Sequence, residues 1–174
     1  TSSPAYRPLG TADVERLFDD RHGERLTQAL LESQQVMSGV QRKLVLRRDG
    51  DAWSLPLHGA PGTHLVKRSS GRYDGLVANE LACLRLFATL GLPVNEAFAF
   101  DGAVAWPDGA VESRLLAVQR FDRVVVADAA APDATGMPRI ERLHQEDLCQ
   151  ITGRRPHAKY QANGGPSFRD LATV

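Results

Sequence analysis

THLVKRSSGRYDGLVANELACLRLFATLG, residues 63–91, changes its hydrophobic period part-way along. Thr63-His64-Leu65-Val66-Lys67 is short, apolar and partly β-branched, which predicts a strand. From Asp74 or Gly75 to about Leu90 the period becomes helical: Val77, Leu81, Leu84 and Ala88 recur at spacings of four, three and four. Gly91 supplies a left-handed C-cap, and Pro93 blocks continuation. A lysine on a buried strand must find an anion or lose its proton. Glu80 stands beside Val77 and Leu81, near the apolar face of the helix, where it can pair with Lys67. The plain alternative is a Lys67 head reaching water from a strand end, with Glu80 solvated.

Outward from this stretch, residues 41–48 predict a strand with Leu44 and Leu46 on one face. Asp49-Gly50 is a two-residue turn, because both positions tolerate positive φ, and residues 53–57 return. Residues 34–39 and 59–62 read as loops. Before them, Thr11 is a candidate N-cap for a helix over 12–20, and Leu26, Ala29 and Leu30 mark a second short helix. After Gly91, residues 94–100, 103–106 and 114–121 predict three strands. Residues 127–138, rich in Ala, Pro, Asp and Gly, read as a mobile surface loop. Residues 144–152 predict a helix ended by Gly153. A mostly antiparallel sheet with one long helix packed on it is an α+β pattern. The expected division is an N-terminal helical segment over 1–35, a sheet-and-helix lobe over 36–123, and a loop with further helices over 124–174.

The 174 residues are 43% hydrophobic and 24% charged, enough for one packed core and too apolar for disorder. Lys plus Arg and Asp plus Glu both number 21, so no global basic field drives nucleic-acid binding, while a local patch stays open. Cys83 and Cys149 are too few for a disulfide framework and sit among helix-like residues, as reduced, packed thiols of a cytoplasmic protein do. No run reaches the roughly 18–20 apolar residues of a membrane span. Residues 1–8 lack a signal-peptide pattern. The chain opens on Thr1 without Met, and residues 167–172 read as a helix beginning just before Val174; both are expected of a piece of a longer chain.

Three segments could carry chemistry. Ser38-Gly39-Val40-Gln41-Arg42-Lys43 precedes the first strand, with small residues that let a phosphate approach backbone N–H groups and two cations behind them. An ordinary loop entering a strand reads the same way. Neither Gly-x-Gly-x-x-Gly nor Walker A occurs. Gln119-Arg120-Phe121-Asp122-Arg123 follows the apolar run Leu115-Leu116-Ala117-Val118; it is a strand end with a salt bridge from Asp122 to Arg120 or Arg123, or a backbone edge for a planar base. His144-Gln145-Glu146-Asp147 matches His-x-x-Asp, but Thr152 stands where a metal-binding Asn belongs, and no catalytic residue is assigned within the chain. No Cys/His set has zinc spacing, and no metal ligand is assigned.

The element order is that of a protein-kinase small lobe: hairpin, lysine strand, glutamate helix, further strands, hinge. The 38–43 block, 63–67, Asn79-Glu80-Leu81-Ala82-Cys83, 118–123, Gln145-Glu146-Asp147-Leu148-Cys149-Gln150 and Lys159-Tyr160-Gln161-Ala162-Asn163-Gly164-Gly165-Pro166 occur in the order seen in HipA-like serine/threonine kinases. The chain resembles that family, the toxins of HipBA toxin–antitoxin modules, over about residues 36–168. The resemblance implies a kinase-like small lobe with the first helices of the large lobe. It implies ATP held by Ser38, Gly39, Val40, Gln41, Arg42 and Lys43 at the phosphates, by Lys67, and by Gln119, Arg120 and Phe121 at adenine, with Glu80 pairing Lys67. The family's catalytic Asp and its magnesium ligands are expected beyond Val174, leaving this portion inactive alone. Family members phosphorylate a serine on a partner protein, best known for glutamyl-tRNA synthetase, and arrest growth. A helix-turn-helix antitoxin binds the kinase and carries it to DNA; no membrane partner is implied.

Two departures matter. Gln119 replaces the usual Glu. Val36 stands where some members carry a self-phosphorylated Ser, which leaves Ser38 as the candidate acceptor in this loop, the plain alternative being a Ser38 that only hydrogen-bonds within the loop or to a phosphate. A phosphoryl group on Ser38 would place negative charge where ATP phosphates sit. The competing readings are a non-catalytic interaction module on the same fold, binding an antitoxin or other protein, and an unrelated small-molecule kinase of similar lobe order, against which the ordered blocks argue.

Overall fold

The computed structural model describes residues 3–19, 24–35, 42–68, 75–100, 104–105, 111–112, 115–126, 132–133, 135–158 and 160–173. In chain order they form β1 (Ala5–Leu9), α1 (Thr11–Asp19), α2 (Glu24–Ser33), β2 (Lys43–Asp49), β3 (Ala52–Leu57), β4 (His64–Arg68), α3 (Leu76–Thr89), β5 (Ala97–Phe100), β6 (Val104–Ala105), β7 (Val111–Glu112), β8 (Leu115–Gln119), β9 (Arg123–Val126), β10 (Arg139–Arg142), α4 (Leu148–Ile151) and α5 (Phe168–Leu171). Two 3-10 turns lie at Pro156–Ala158 and Gln161–Asn163. The chain divides into two units, Thr1–Glu141 and Arg142–Val174.

The first unit is an α+β fold around a six-stranded antiparallel sheet in the order β1-β3-β2-β4-β8-β5. Period-two alternation sends Leu44, Leu46, Trp53, Leu55, Val66, Leu115 and Ala117 to one face, where they pack with Val14 and Phe18 of α1 and Leu26 and Ala29 of α2. The opposite face carries Leu116 against Val77 and Leu81 of α3. Each fully buried Leu or Phe in such a layer contributes about 1.5–3 kcal/mol relative to exposure.

α1 and α2 therefore help to form this core, and the first unit runs through the position of the boundary expected after residue 35. The segment also adds a strand not expected from the sequence: β1 pairs with β3 from Ala5↔Leu57 to Leu9↔Trp53. Pro8 suits an edge, where its missing N–H costs no ladder bond. Gly10, rather than Thr11, caps α1: its carbonyl accepts from Asp13 and Val14, and its N–H donates to Asp13 Oδ2 at 3.0 Å.

The strand expected over 94–100 begins at Ala97, the one over 114–121 is β8, and the one over 103–106 is β6, paired with β7. Of the loop expected over 127–138, residues 127–131 and 134 lie outside the described residues. Its described part is tied down by Asp133, which accepts from the Thr135 and Met137 N–H groups at 2.8 and 3.2 Å. Arg47, fully buried in β2, reaches it: the guanidinium donates to Asp49 at 2.7 and 3.2 Å, to Asp133 at 3.4 Å and to the Pro138 carbonyl at 2.8 Å. A buried guanidinium needs acceptors, and this segment supplies them. Beyond it β10 returns to pair with β9.

In the second unit the helix expected over 144–152 shrinks to Leu148–Ile151. Asp147 is its N-cap, in a capping box with Gln150, both bonds 2.8 Å, so the carboxylate starts the helix instead of lying inside it. Ser167 and Asp170 form the same box on α5. At Gly165 a Cβ would meet the Ala158 carbonyl oxygen at 2.4 Å, which explains a residue without a side chain there. Cys149 is buried, but Cys83 is exposed on α3, contrary to the expectation of two packed thiols. Among the described residues no helix is long and apolar enough to cross a membrane.

Candidate functional site

Lys67 lies next to last in β4, on the sheet face covered by α3 rather than by α1 and α2. Glu80 is on the first turn and a half of α3, three residues beyond Val77 and one before Leu81, so packing of those two apolar residues turns its carboxylate to the sheet. Lys67 Nζ donates to Glu80 Oε1 at 2.6 Å, with the two side chains 18% and 34% exposed. Directly opposite Lys67 on the neighbouring strand stands Lys43. Like charges at facing positions repel. Glu80 neutralises one of the two lysines; Lys43 has no acidic partner among the described residues. The geometry thus leaves an excess positive charge at the N-terminal end of β2. The Arg42 carbonyl, just before Lys43, accepts from the Arg68 N–H at 3.3 Å.

Two features of β2 hold this place. The β2–β3 ladder covers only Arg47 to Asp49, so the β3-side edge of Val45 has no strand partner there. The Gln35 carboxamide occupies it, donating to the Val45 carbonyl at 2.8 Å and accepting from the Val45 N–H at 2.7 Å. On the other side Gly62 runs so close to β2 that a Cβ would lie 2.4 Å from Val45 Cγ1 and 2.9 Å from the Leu46 carbonyl oxygen.

Gln119 ends β8 opposite His64 of β4, three residues from Lys67 and about 10 Å along the strand at 3.3 Å per residue. The Gln119 N–H donates to the Glu96 carbonyl and the Arg120 N–H to the Thr63 carbonyl, each at 2.8 Å. The Phe121 side chain is exposed. Asp122 is buried and gathers both neighbouring arginines: Arg120 in a two-point grip at 2.9 and 2.7 Å, and Arg123 through Nη1. The Arg120 hydrogen bonds hold its carboxyl below the usual range, against the opposing effect of burial. His64, buried beside Trp53 and Phe98, contacts Thr63 Oγ1 through Nδ1 at 2.8 Å; burial and then the Arg48 guanidinium push its pKa down to about 4, so it is neutral near pH 7.

Of the residues expected to form a site, the structure brings Lys43, Lys67 and Glu80 together and places Gln119, Arg120 and Phe121 at the far end of the adjoining strand. Ser38, Gly39, Val40 and Gln41 lie outside the described residues. Gln35, Arg47 and His64 were not singled out from the sequence. Asp147, engaged as a helix cap, has its carboxylate committed to structure.

An α+β unit whose antiparallel sheet faces a lysine–glutamate pair across to one long helix is the class of fold this site defines. The chain belongs to the HipA-like C-terminal domain family, which it matches over residues 36–174. It is 33% identical over 167 residues to "Putative kinase Y4mE" of Sinorhizobium fredii, covering 94% of this chain and 35% of that protein. It is 30% identical over 131 residues to "Putative kinase Y4dM" of the same organism, covering 71% of this chain and 29% of the other. Among solved structures it is similar to HipA in a Shewanella oneidensis MR-1 complex of HipA, HipB and operator DNA, with a TM-score of 0.62 and 26% identity over 98% of this chain and 35% of that one. The chain thus spans about a third of the length of these relatives.

Proposed function

We propose that this chain is the ATP-binding portion of a HipA-like serine/threonine protein kinase, its sheet and α3 forming a kinase-like small lobe. The observation that carries the reading is the facing pair Lys43 and Lys67 with a single carboxylate, Glu80, between them and α3. Two cations and one anion leave room for a further anion, and a nucleotide phosphate chain fits that deficit. Lys67, positioned by Glu80, would contact the phosphates; Arg42 and Lys43, with Ser38, Gly39, Val40 and Gln41 before them, would line the same side. Adenine would lie by Gln119, Arg120 and Phe121. Because the Gln119 and Arg120 N–H groups are already bonded within the fold, the Phe121 peptide is the donor this reading assigns to the base. The Asp122 grip on its two arginines would keep that turn in place.

ATP supplies the transferable phosphoryl group in this reading, and magnesium accompanies its phosphates. Among the described residues no three acidic, histidine or cysteine side chains come together to hold a metal, and the reading assigns magnesium no ligand here. The parent protein would phosphorylate a serine of a target protein, an aminoacyl-tRNA synthetase being the target class the family suggests, and a HipB-like antitoxin would be its partner. Support for the partner is the neighbour itself, a HipA held with HipB and operator DNA. A second reading, an interaction module without nucleotide, is favoured by the exposed Leu86, Phe87, Leu90 and Leu92 at the end of α3. Calorimetric titration with ATP separates the two: saturable binding weakened by Lys67→Met supports the kinase reading, and absence of binding supports the module.

A further inference from the structure

Gln35 makes two hydrogen bonds to the backbone of one residue ten positions away, as a neighbouring strand would. Backbone accounting explains why a side chain is needed. Each buried N–H and C=O must be paired. At Val45, buried in β2, the β4 side is laddered and the β3 side is not, because β3 meets β2 only from Arg47 onward. The Gln35 carboxamide carries one donor and one acceptor at the right separation to finish the sheet there.

The delivery of Gln35 is also built in. Helix α2 ends in a Schellman motif: the Gln35 N–H bonds to the Leu30 carbonyl at 3.1 Å and the Gln34 N–H to the Leu31 carbonyl at 3.2 Å. Gln34 takes the left-handed position with φ 56°, a conformation a non-glycine residue adopts at a steric cost. The last α2 carbonyls are held in turn, Glu32 by the His58 N–H at 3.0 Å and Ser33 by the Gly59 N–H at 3.4 Å. A strained, doubly anchored helix end thus aims one amide at one strand residue.

Val45 is two residues from Lys43, and Lys43 faces Lys67. Two lysines opposite each other push the first half of β2 away from β4. The Gln35 carboxamide stands on the far side of β2 from β4, already at hydrogen-bond contact with Val45 and fixed to the anchored end of α2, so β2 cannot shift toward it. We infer that Gln35 is a positioning residue: it holds the start of β2 so that Lys43 and Lys67 remain a preformed cation pair for a polyphosphate anion. The inference rests on the nucleotide reading above and adds to it a residue that touches no ligand. Its energetic logic is preorganisation, in which the fold rather than the ligand bears the cost of bringing like charges together.

The test compares three probes on the whole chain: ATP, inorganic tripolyphosphate and adenosine. Gln35→Met removes both bonds at nearly constant volume. Gln35→Glu keeps the acceptor for the Val45 N–H and sets a carboxylate oxygen against the Val45 carbonyl. Both variants are expected to bind ATP and tripolyphosphate about tenfold more weakly, the equivalent of one to two hydrogen bonds, with adenosine affinity within about twofold of wild type. Equal loss for adenosine and tripolyphosphate would make Gln35 a general structural residue and overturn the inference, as would unchanged tripolyphosphate affinity in either folded variant. A wild-type chain that binds neither ATP nor tripolyphosphate overturns the nucleotide reading and this inference together; wild-type binding with unaffected variants overturns this inference alone.

Discussion

His64 and Gln34 each carry a cost that a single substitution can expose. In the folded chain His64 stays neutral down to about pH 4, because burial and the nearby Arg48 guanidinium oppose a second proton. In the unfolded chain it titrates near its ordinary value of 6.5. Between those values the unfolded state binds more protons, so stability is full above about pH 6.5 and falls as the pH drops towards 4. The depressed pKa corresponds to a loss of roughly 3 kcal/mol across that window. Urea unfolding at steps between pH 7 and 4 should show the decline, and His64→Gln should flatten it. A wild-type curve that is flat through that window would contradict the assignment. Gln34→Gly should act in the other direction. It relieves the left-handed strain at φ 56° and should raise the unfolding free energy by about 1 kcal/mol, read as a higher urea midpoint with unchanged slope.

At the scale of elements, the ties between neighbours predict where the fold gives way. Arg47→Met leaves Asp49 and Asp133 without their shared guanidinium and frees the Pro138 carbonyl. Removing one partner from a buried ion pair costs about 3–5 kcal/mol. Limited proteolysis should then cut near residues 133–138 in the variant and not in wild type. Gly62→Ala forces a methyl group against Val45 and the Leu46 carbonyl and should lower stability by about 1–3 kcal/mol, measured by thermal unfolding. Much of this layer was legible in the sequence. The β2–β3 hairpin announced itself through alternation and Asp49-Gly50, and α3 through its period and Gly91. Lys67 and Glu80 could be paired in advance because both lie on strongly periodic elements. The rest depended on partners that no local pattern encodes. Ala5–Leu9 lacks alternation and contains proline, so only its pairing with β3 makes it a strand. Asp147 looks like helix interior until its carboxylate turns back to the Gln150 N–H. Gln35 is an unremarked loop polar residue until the β2–β3 ladder is seen to stop short of Val45.

For the whole molecule, α1 and α2, which lie in the part that the HipA-like family match leaves out, supply part of the core that supports the site. A chain beginning at residue 36 would lose Val14, Phe18, Leu26 and Ala29 from the layer over Leu44, Leu46 and Val66, and with them several kcal/mol of burial. It should fail to unfold cooperatively in differential scanning calorimetry, whereas the 174-residue chain should show a defined transition. The central claim, that the sheet presents a cation pair for a nucleotide, turns on the lysines themselves. The most direct measurement is the ATP affinity of the wild-type chain beside Lys43→Met and Lys67→Met. Saturable binding in wild type, weakened about tenfold or more by each substitution without loss of the folded state, is the predicted result. Wild-type binding that neither substitution weakens, or no saturable binding in any of the three, would contradict it.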